Sequence, residues 1–450
     1  MEPVTAYLWP LLGGLLAAGA VIVVLEQRRS PQSAALWIVF IVTMPWVAVP
    51  FFVILGFRKR GSGYLPIRFK GMPREADEHP VAETFARLGS ERATSGNRML
   101  LHGPPDRAWA SLAALIDEAE ESIDAMFYLL ANDETGRWFV RRLTEKAREG
   151  VRVRLNLDWF GGMVPRPRRE LRALRRAGGQ LRWFSPFLRM PERGHLNLRN
   201  HRKMVIADRA RVWFGGRNIA DEYLRGSPDS WVDLTATVTG PVVQTFIDVF
   251  EAGWDIDNPA PDVPPYNPVP ETGTAVLQMV PAGPDEPSDA LHDGLVNTIH
   301  RARERVWVAT PYYVPTDALD QALSVAARRG LDVRLLIPDR SNHLTPDLAR
   351  GSYLRSLAHA GGRILRYAGS NMHAKVLLID DVGMIGTTNF DTRSMLLNFE
   401  LALFAYDSGS RRALEEWFAE AETHCEEGIR PVSLPRRVIE GVFRLGAPIL

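Results

Sequence analysis

Two apolar runs open the chain. Tyr7 to Leu25 is an uncharged, mostly apolar stretch of 19 residues, long enough for a helix to cross a bilayer. Glu26-Gln27-Arg28-Arg29-Ser30-Pro31-Gln32-Ser33 interrupts it, and Ala34 to Phe57 forms the second run, closed by Arg58-Lys59-Arg60. Pro45 and Pro50 break that second run, which therefore either kinks or re-enters. Trp9, Trp37 and Trp46 suit the membrane–water interface. A signal peptide would start with a cationic segment; Glu2 and the second run argue against one. Residues 1–60 thus read as a membrane anchor with segments 7–25 and 34–57. Cations on both sides of the second run nearly cancel the positive-inside rule. The expectation is a hairpin with the large domain on the cytoplasmic side. Residues 61–98, with Pro66, Pro73 and Pro80, read as a polar connector.

Beyond Met99 the pattern turns globular and repeats. Helical periodicity over Trp109–Ala119, Gly136–Glu149 and Glu170–Ala177 alternates with strand-like runs at Ser122–Leu130, Val151–Asp158 and Gln180–Phe184. Gly150 and Gly178-Gly179 close the second and third helices. The same order returns later: helices at Leu291–Glu304, Asp317–Arg329 and Tyr353–Ala360, strands at Arg305–Val314, Leu331–Pro338 and Arg363–Tyr367. The pattern predicts two α/β halves, 99–257 and 274–430, each with a mostly parallel sheet covered by helices. The proline-rich stretch between them, 258–273, reads as an extended linker. Residues 431–450 form a basic amphipathic tail that either lies in a membrane interface or packs on the domain.

Composition changes this picture little. The 450 residues are 46% hydrophobic, enough for globular cores, and suggest two to three domains. A net charge of +1 does not indicate a nucleic-acid binder. The single cysteine, Cys425, excludes an intrachain disulfide framework.

The chemistry lies in a phrase that occurs twice. Asn200-His201-Arg202-Lys203 runs into Met204-Val205-Ile206-Ala207-Asp208, and Gly215-Gly216-Arg217-Asn218 follows. Asn371-Met372-His373-Ala374-Lys375 runs into Val376-Leu377-Leu378-Ile379-Asp380, and Gly386-Thr387-Thr388-Asn389 follows. Both read His-x-Lys-x4-Asp, then Gly-x-x-Asn, and the two histidines are 172 residues apart. In extended chain, residues two apart share a face, so each His projects beside its Lys. An imidazole next to a fixed ammonium suits a phosphate: the cation holds anionic oxygen and the ring attacks or donates a proton. Asn218 and Asn389 can add amide donors. Asp208 and Asp380, five residues beyond each Lys, lie at a strand end away from the phosphate and read as structural. The motifs lack metal-ligand spacing. Lysines and imidazoles supply the positive charge that metal ions supply elsewhere, so neither metal nor cofactor is expected.

The paired His-x-Lys-x4-Asp motifs resemble those of the phospholipase D superfamily. The whole layout, from two hydrophobic segments with Arg29-Ser30-Pro31 before the second to the paired motifs, is similar to bacterial cardiolipin synthases of that type. The resemblance implies two α/β/α sandwich halves packed about a pseudo-twofold axis, sharing one site. It implies that one His is the nucleophile on a phosphodiester and the other the general acid. It also assigns to Asp233 and Glu400, which follow their motifs at like places, the support of the histidines across the interface. His201 is the expected nucleophile and His373 the acid, with Lys203, Lys375, Asn218 and Asn389 holding phosphoryl oxygens. The implied donor and acceptor are two phosphatidylglycerol molecules, and the products are cardiolipin and glycerol. The implied setting is a multi-pass protein of the bacterial inner membrane bound to anionic phospholipid, with no nucleic-acid partner. Two other readings remain at this point: a hydrolase of the same chemistry, either phospholipase or nuclease, and a membrane scaffold with a dead site. The arginine-rich segment Pro167–Arg176 and the pair Tyr312-Tyr313 are further candidates, for a lipid surface and for the pocket mouth.

Overall fold

The computed structural model describes residues 2–27, 31–56, 64–69, 79–161, 165–184, 197–254 and 269–445. In chain order the first half supplies β1 (Thr94–His102), β2 (Ser122–Phe127), β3 (Arg152–Asp158), β4 (Gln180–Phe184), β5 (Met204–Ala207), β6 (Arg211–Gly215) and β7 (Thr235–Thr239). The second supplies β8 (Ala275–Ala282), β9 (Arg305–Ala309), β10 (Tyr313–Val314), β11 (Asp332–Pro338), β12 (Arg363–Tyr367), β13 (Val376–Ile379), β14 (Val382–Gly386), β15 (Phe390–Asp391), β16 (Glu400–Ala405) and β17 (Cys425–Glu427).

All but β10 and β15 join one 15-stranded sheet in the order β17-β12-β11-β9-β13-β14-β16-β8-β1-β7-β6-β5-β2-β3-β4. Read outward from the β8·β1 seam, the two arms have the same order apart from the additional edge strand β17 of the second, and the seam itself is antiparallel. Equivalent strands paired antiparallel are related by a local twofold, so the duplication in sequence is a pseudo-twofold in space.

The sheet is mixed, not mostly parallel. Only β2·β3, β3·β4, β9·β11 and β11·β12 run parallel within it. The motif strands β5 and β13 each turn back through a tight hairpin into β6 and β14, and a hairpin makes its strands antiparallel. Asp208 and Arg209, in the three-residue loop after β5, and Asp380, in the two-residue loop after β13, take positive φ (51°, 56° and 49°), the left-handed conformation that tight hairpin loops call on and aspartate tolerates. Two further departures concern strand limits. The apolar run Arg305–Val314 splits at Ala309 into β9 and the short β10. β1 starts at Thr94, inside the stretch read as connector, and helix Pro80–Arg87 also lies there.

Helices cover both faces. Pro105–Asp117, Glu134–Arg148 and Arg168–Arg176 bury their apolar sides on one face of the first arm. In the arginine-rich helix, Leu171 and Leu174 point into that core while Arg168, Arg169, Arg172, Arg175 and Arg176 stay exposed. Ala290–Arg301, Asp317–Arg328 and Gly351–His359 do the same on the second arm. On the opposite face, Val243–Trp254 and Ser408–Glu422 lie over a core that runs unbroken across both halves, from Met204 and Phe214 to Val376 and Leu401. Burying a side chain of this size contributes roughly 1.5–3 kcal/mol, so the shared core holds the motif strands of both halves in one body.

At the N-terminus, Glu2–Glu26 is a single helix, and its stretch Leu8–Glu26 is long and apolar enough to cross a membrane. The second apolar run is not one helix. Pro31–Thr43 ends before Met44, Pro45–Phe51 restarts with Pro45 at its first turn, and Phe52–Gly56 closes as one π turn. These pieces pack on the first helix through Ala17, Ala20, Val24, Trp37, Ile41 and Phe52. Most of the proline-rich linker, residues 258–268, lies outside the described residues.

Candidate active site

The two motifs meet because each is stitched to the other half. The His201 amide donates to Phe399 O at 2.9 Å, and the His373 amide donates to Val232 O at 2.6 Å. Isolated parallel bridges join Asn200 to Phe399 and Val232 to Met372. Phe399 precedes Glu400 and Val232 precedes Asp233, so these backbone contacts deliver each acid to the opposite half's histidine. His201–Lys203 and His373–Lys375 sit just ahead of β5 and β13 rather than within them.

The side chains complete a crossed arrangement. His201 Nδ1 lies 3.0 Å from Glu400 Oε2 and 2.9 Å from Oε1. His373 Nδ1 lies 2.8 Å from Asp233 Oδ2. A carboxylate on Nδ1 fixes the tautomer that leaves Nε2 unprotonated and directed away from the acid. Lys203 Nζ donates to His201 O at 2.7 Å, and Lys375 Nζ donates to His373 O and stands 2.8 Å from the Nδ1 of that ring. The His201 side chain is 14% exposed and that of His373 4%, so His201 is the more open of the two. Aromatic rings wall both: Tyr128 meets His201 edge-on at 5.2 Å, while Tyr223 and Trp231 lie 5.2 Å and 5.3 Å from His373. Tyr312 faces His373 at 6.4 Å, whereas its neighbour Tyr313 is fully buried against Tyr353 and Phe390.

The two acids are accommodated differently. A Cβ on Gly216 would lie 2.2 Å from Asp233 Oδ1, so only glycine leaves room for that carboxylate. The equivalent position in the second half is Thr387, whose hydroxyl donates to Glu400 Oε2 at 2.5 Å. The longer acid thus has a hydroxyl to steady it, and the shorter one a gap to occupy. Two buried arginines, unmarked by any sequence expectation, frame the site. Arg202 forms a bidentate pair with Asp285 of the other half, at 2.7 Å and 2.9 Å. Arg217 donates to the Tyr223 and Asp233 carbonyls at 3.2 Å and 2.7 Å. Arginines read as surface residues in a sequence; the one signal for Arg202 was its place between His201 and Lys203.

The electrostatics follow from burial. Burial and the neighbouring Lys375 push His373 down to about 3, and burial with Lys203 pushes His201 down against the pull of Glu400. Burial lowers Lys203 to about 7 and Lys375 to about 8, with Glu400 and Asp233 the respective charges that resist most. Burial pushes Asp233 and Glu400 up, but the surrounding cations and imidazoles outweigh it and hold both below the usual carboxylate range. Lys375 also acts on His201, and Lys203 on His373, so both pairs share one electrostatic site. An anion entering here favours the protonated forms of these groups and so opposes the effect of burial.

Asp208 and Asp380 stand apart from the imidazoles. Asp208 accepts from the amides of Glu120, Glu121 and Ser122 at 3.1, 2.8 and 3.0 Å. Asp380 accepts from Arg303, Glu304 and Arg305 at 2.8, 2.9 and 3.0 Å. Each pins the loop entering β2 or β9 from its hairpin turn. Asn218 accepts from the Leu129 amide at 3.2 Å and donates to the Tyr223 hydroxyl at 3.3 Å. Asn389 is buried, and its Oδ1 has no hydrogen-bond partner among the described residues. Among the described residues no group of three or more His, Cys, Asp or Glu is placed to hold a metal ion.

Comparison with known proteins places this geometry. Residues 112–254 and 295–421 match a family model described as a cardiolipin synthase, phospholipase D-like domain. Cardiolipin synthase A of Pseudomonas fluorescens is 31% identical, over 98% of this chain and 96% of its own length. Cardiolipin synthase of Geobacillus kaustophilus is 30% identical, over 96% of this chain and 91% of its own. Among solved structures, phosphatidylserine synthase of Haemophilus influenzae shares the fold with a TM-score of 0.65 at 13% identity, covering 83% of this chain and all of that one.

Proposed function

The chain belongs to the cardiolipin synthase family of phospholipase D-like proteins, and we propose that it joins two phosphatidylglycerol molecules at a bilayer, releasing cardiolipin and glycerol. The observation that carries this reading is the crossed pairing of His201 with Glu400 and His373 with Asp233 around a site both lysines share.

The reaction proceeds by two displacements. His201, neutral and with Nδ1 held by Glu400, attacks phosphorus through Nε2. The bond from phosphorus to the departing glycerol oxygen breaks, and His373 delivers a proton to that oxygen. Burial and Lys375 favour neutral His373; a bound phosphodiester supplies the negative charge that raises it and lets it carry that proton. Glycerol leaves, and the phosphatidyl group remains on His201. The glycerol hydroxyl of a second phosphatidylglycerol then gives its proton to His373 and attacks phosphorus, which frees His201. Lys203 and Lys375 hold the phosphoryl oxygens as charge redistributes, with Asn218 and Asn389 beside them. Asp233 and Glu400 stabilise the charge that forms on each ring. Asp208 and Asp380 hold the hairpins and take no part in the chemistry.

The helix Leu8–Glu26 anchors the protein, and the broken segment packed on it completes a hairpin with the catalytic body on the cytoplasmic side of a bacterial inner membrane. Residues 94–257, opening with β1, and 274–430 are the two catalytic halves, joined by the linker 258–273. The substrates are phosphatidylglycerol and related anionic lipids, not nucleic acid.

The test is a product assay. Purified protein in phosphatidylglycerol vesicles is expected to form cardiolipin and glycerol in equal amounts. Phosphatidic acid without cardiolipin would place the protein with the hydrolases. Normal turnover by a His201→Ala variant would remove the site altogether.

A further inference from the structure

We infer that the C-terminal helix is a docking element that seats the mouth of the active site on an anionic bilayer surface. This rests on the reading of the substrate as a membrane lipid.

The helix spans Leu434–Leu445. One side is fixed to the body. Glu440 is 3% exposed and accepts from Arg355 at 2.7 Å and Arg436 at 3.1 Å. Gly351 gives it room, since a Cβ there would lie 2.3 Å from Glu440 Oε2. Phe443 packs on the core of the second half. The other side is a stripe of aliphatic side chains in water: Leu434, Val438, Val442 and Leu445 are 73%, 60%, 61% and 61% exposed. Their spacing of four, four and three residues puts them on one face. A helix held by a buried carboxylate cannot roll to hide that face, so the stripe is built for an outside partner.

Charge selects the partner. Arg437 and Arg444, seven residues apart, line one edge of the stripe and are exposed, while the helix's single acid, Glu440, is engaged inward. Aliphatic side chains beside a row of cations suit an interface of acyl chains beneath anionic headgroups. A second copy would bring the same arginines together.

Position ties the stripe to the chemistry. The helix packs against Leu344–Ala349, whose first residue is itself 70% exposed. That short helix follows directly on Asn342 and His343. Asn342 accepts from the Tyr312 hydroxyl at 2.6 Å, and the His343 ring lies 5.7 Å from Tyr312. Tyr312 in turn faces His373. The exposed stripe is thus joined through one short helix and one loop to the wall of the catalytic pocket, and docking it brings that wall to the lipid surface.

The experiment uses the full chain. Cys425→Ser combined with Val442→Cys allows one environment-sensitive nitrobenzoxadiazole label, read in vesicles of phosphatidylglycerol and phosphatidylcholine that carry spin-labelled lipid. Blue-shifted emission quenched by the lipid spin label is expected. Emission characteristic of water and insensitive to the label would overturn the proposal, as would self-quenching that grows with protein density without lipid quenching, which marks a second copy. The double variant Val438→Asp/Val442→Asp is expected to lower kcat/KM on vesicle phosphatidylglycerol on the order of tenfold. On a short-chain phosphatidylglycerol presented as monomers it should match the parent. Equal loss on both substrates, or loss on neither, would refute docking. The fluorescence readout does not depend on turnover, so it stands even where the product assay fails.

Discussion

Replacing Glu400 with glutamine removes a charge while keeping the shape of the side chain. Glu400 is fully buried, and its oxygens receive His201 Nδ1 and the Thr387 hydroxyl. It is also the charge that most resists the fall of Lys203, already lowered to about 7 by burial. Without it Lys203 drops further, and each pKa unit costs a factor of about ten in protonated fraction. At neutral pH the variant therefore loses a phosphate-holding cation as well as the group that orients the attacking ring. The two losses together should lower kcat on the order of 10²–10⁴-fold. Glutamine still accepts from Thr387, so the thermal midpoint should move by no more than a few degrees, about what 1 kcal/mol produces. The assay is cardiolipin formation from vesicles across pH, with unfolding followed in parallel. Because Lys203 acts when protonated, the alkaline limb of kcat/KM should move to lower pH in the variant. A kcat within about threefold of the parent, with an unmoved alkaline limb, would refute the role given to Glu400.

Other perturbations separate structure from chemistry. Asp208→Ala strips the acceptor from three backbone amides and should cost about 1–3 kcal/mol of stability, lowering the thermal midpoint while leaving kcat per folded molecule nearly unchanged. Gly216→Ala drives a methyl into Asp233 Oδ1; displacing the acid from His373 should lower kcat tenfold or more, on the order expected for a misplaced catalytic group, and Asp233→Asn should reproduce the loss. Stability should fall as the pH drops below about 6.5 toward 3. Over that range the unfolded chain binds a proton at His373 that the folded chain, held down to about 3, does not. His373→Asn should flatten this acid slope in a chemical-denaturation series.

Much of this arrangement was written in local pattern. The repeated His-x-Lys-x4-Asp and the order of helices and strands announced two related halves. The motif spacing has a plain physical basis: a four-residue strand separates each Lys from the hairpin turn, so the Asp falls at the turn with positive φ. What stayed hidden depended on contacts distant in sequence. β1 begins Thr94-Ser95-Gly96-Asn97 and carries no apolar alternation there, yet it pairs with β8 at the centre of the sheet. The alternation of helices and strands points to a mostly parallel sheet, whereas the hairpins after the motifs decide the pairing and make the sheet mixed. Arg202 and Arg217 look like solvated charges until their partners arrive, Asp285 from the other half in one case and backbone carbonyls in the other. The Gly216–Thr387 difference is visible in the sequence, but it acquires meaning only once the acids' positions are known. Tyr128, Tyr223 and Trp231 carried no motif at all.

The central claim is that one histidine carries the phosphatidyl group while the other moves protons at the same phosphorus. It is tested most directly by trapping the intermediate. Reconstituted protein is mixed with phosphatidylglycerol labelled at phosphate, quenched within the first turnover, digested and mapped. Label is expected on the peptide containing His201, and it should vanish in His201→Ala together with cardiolipin formation. Label on His373 would contradict the assignment of roles. An unlabelled protein that still makes cardiolipin at the parental rate without His201 would contradict the shared site itself.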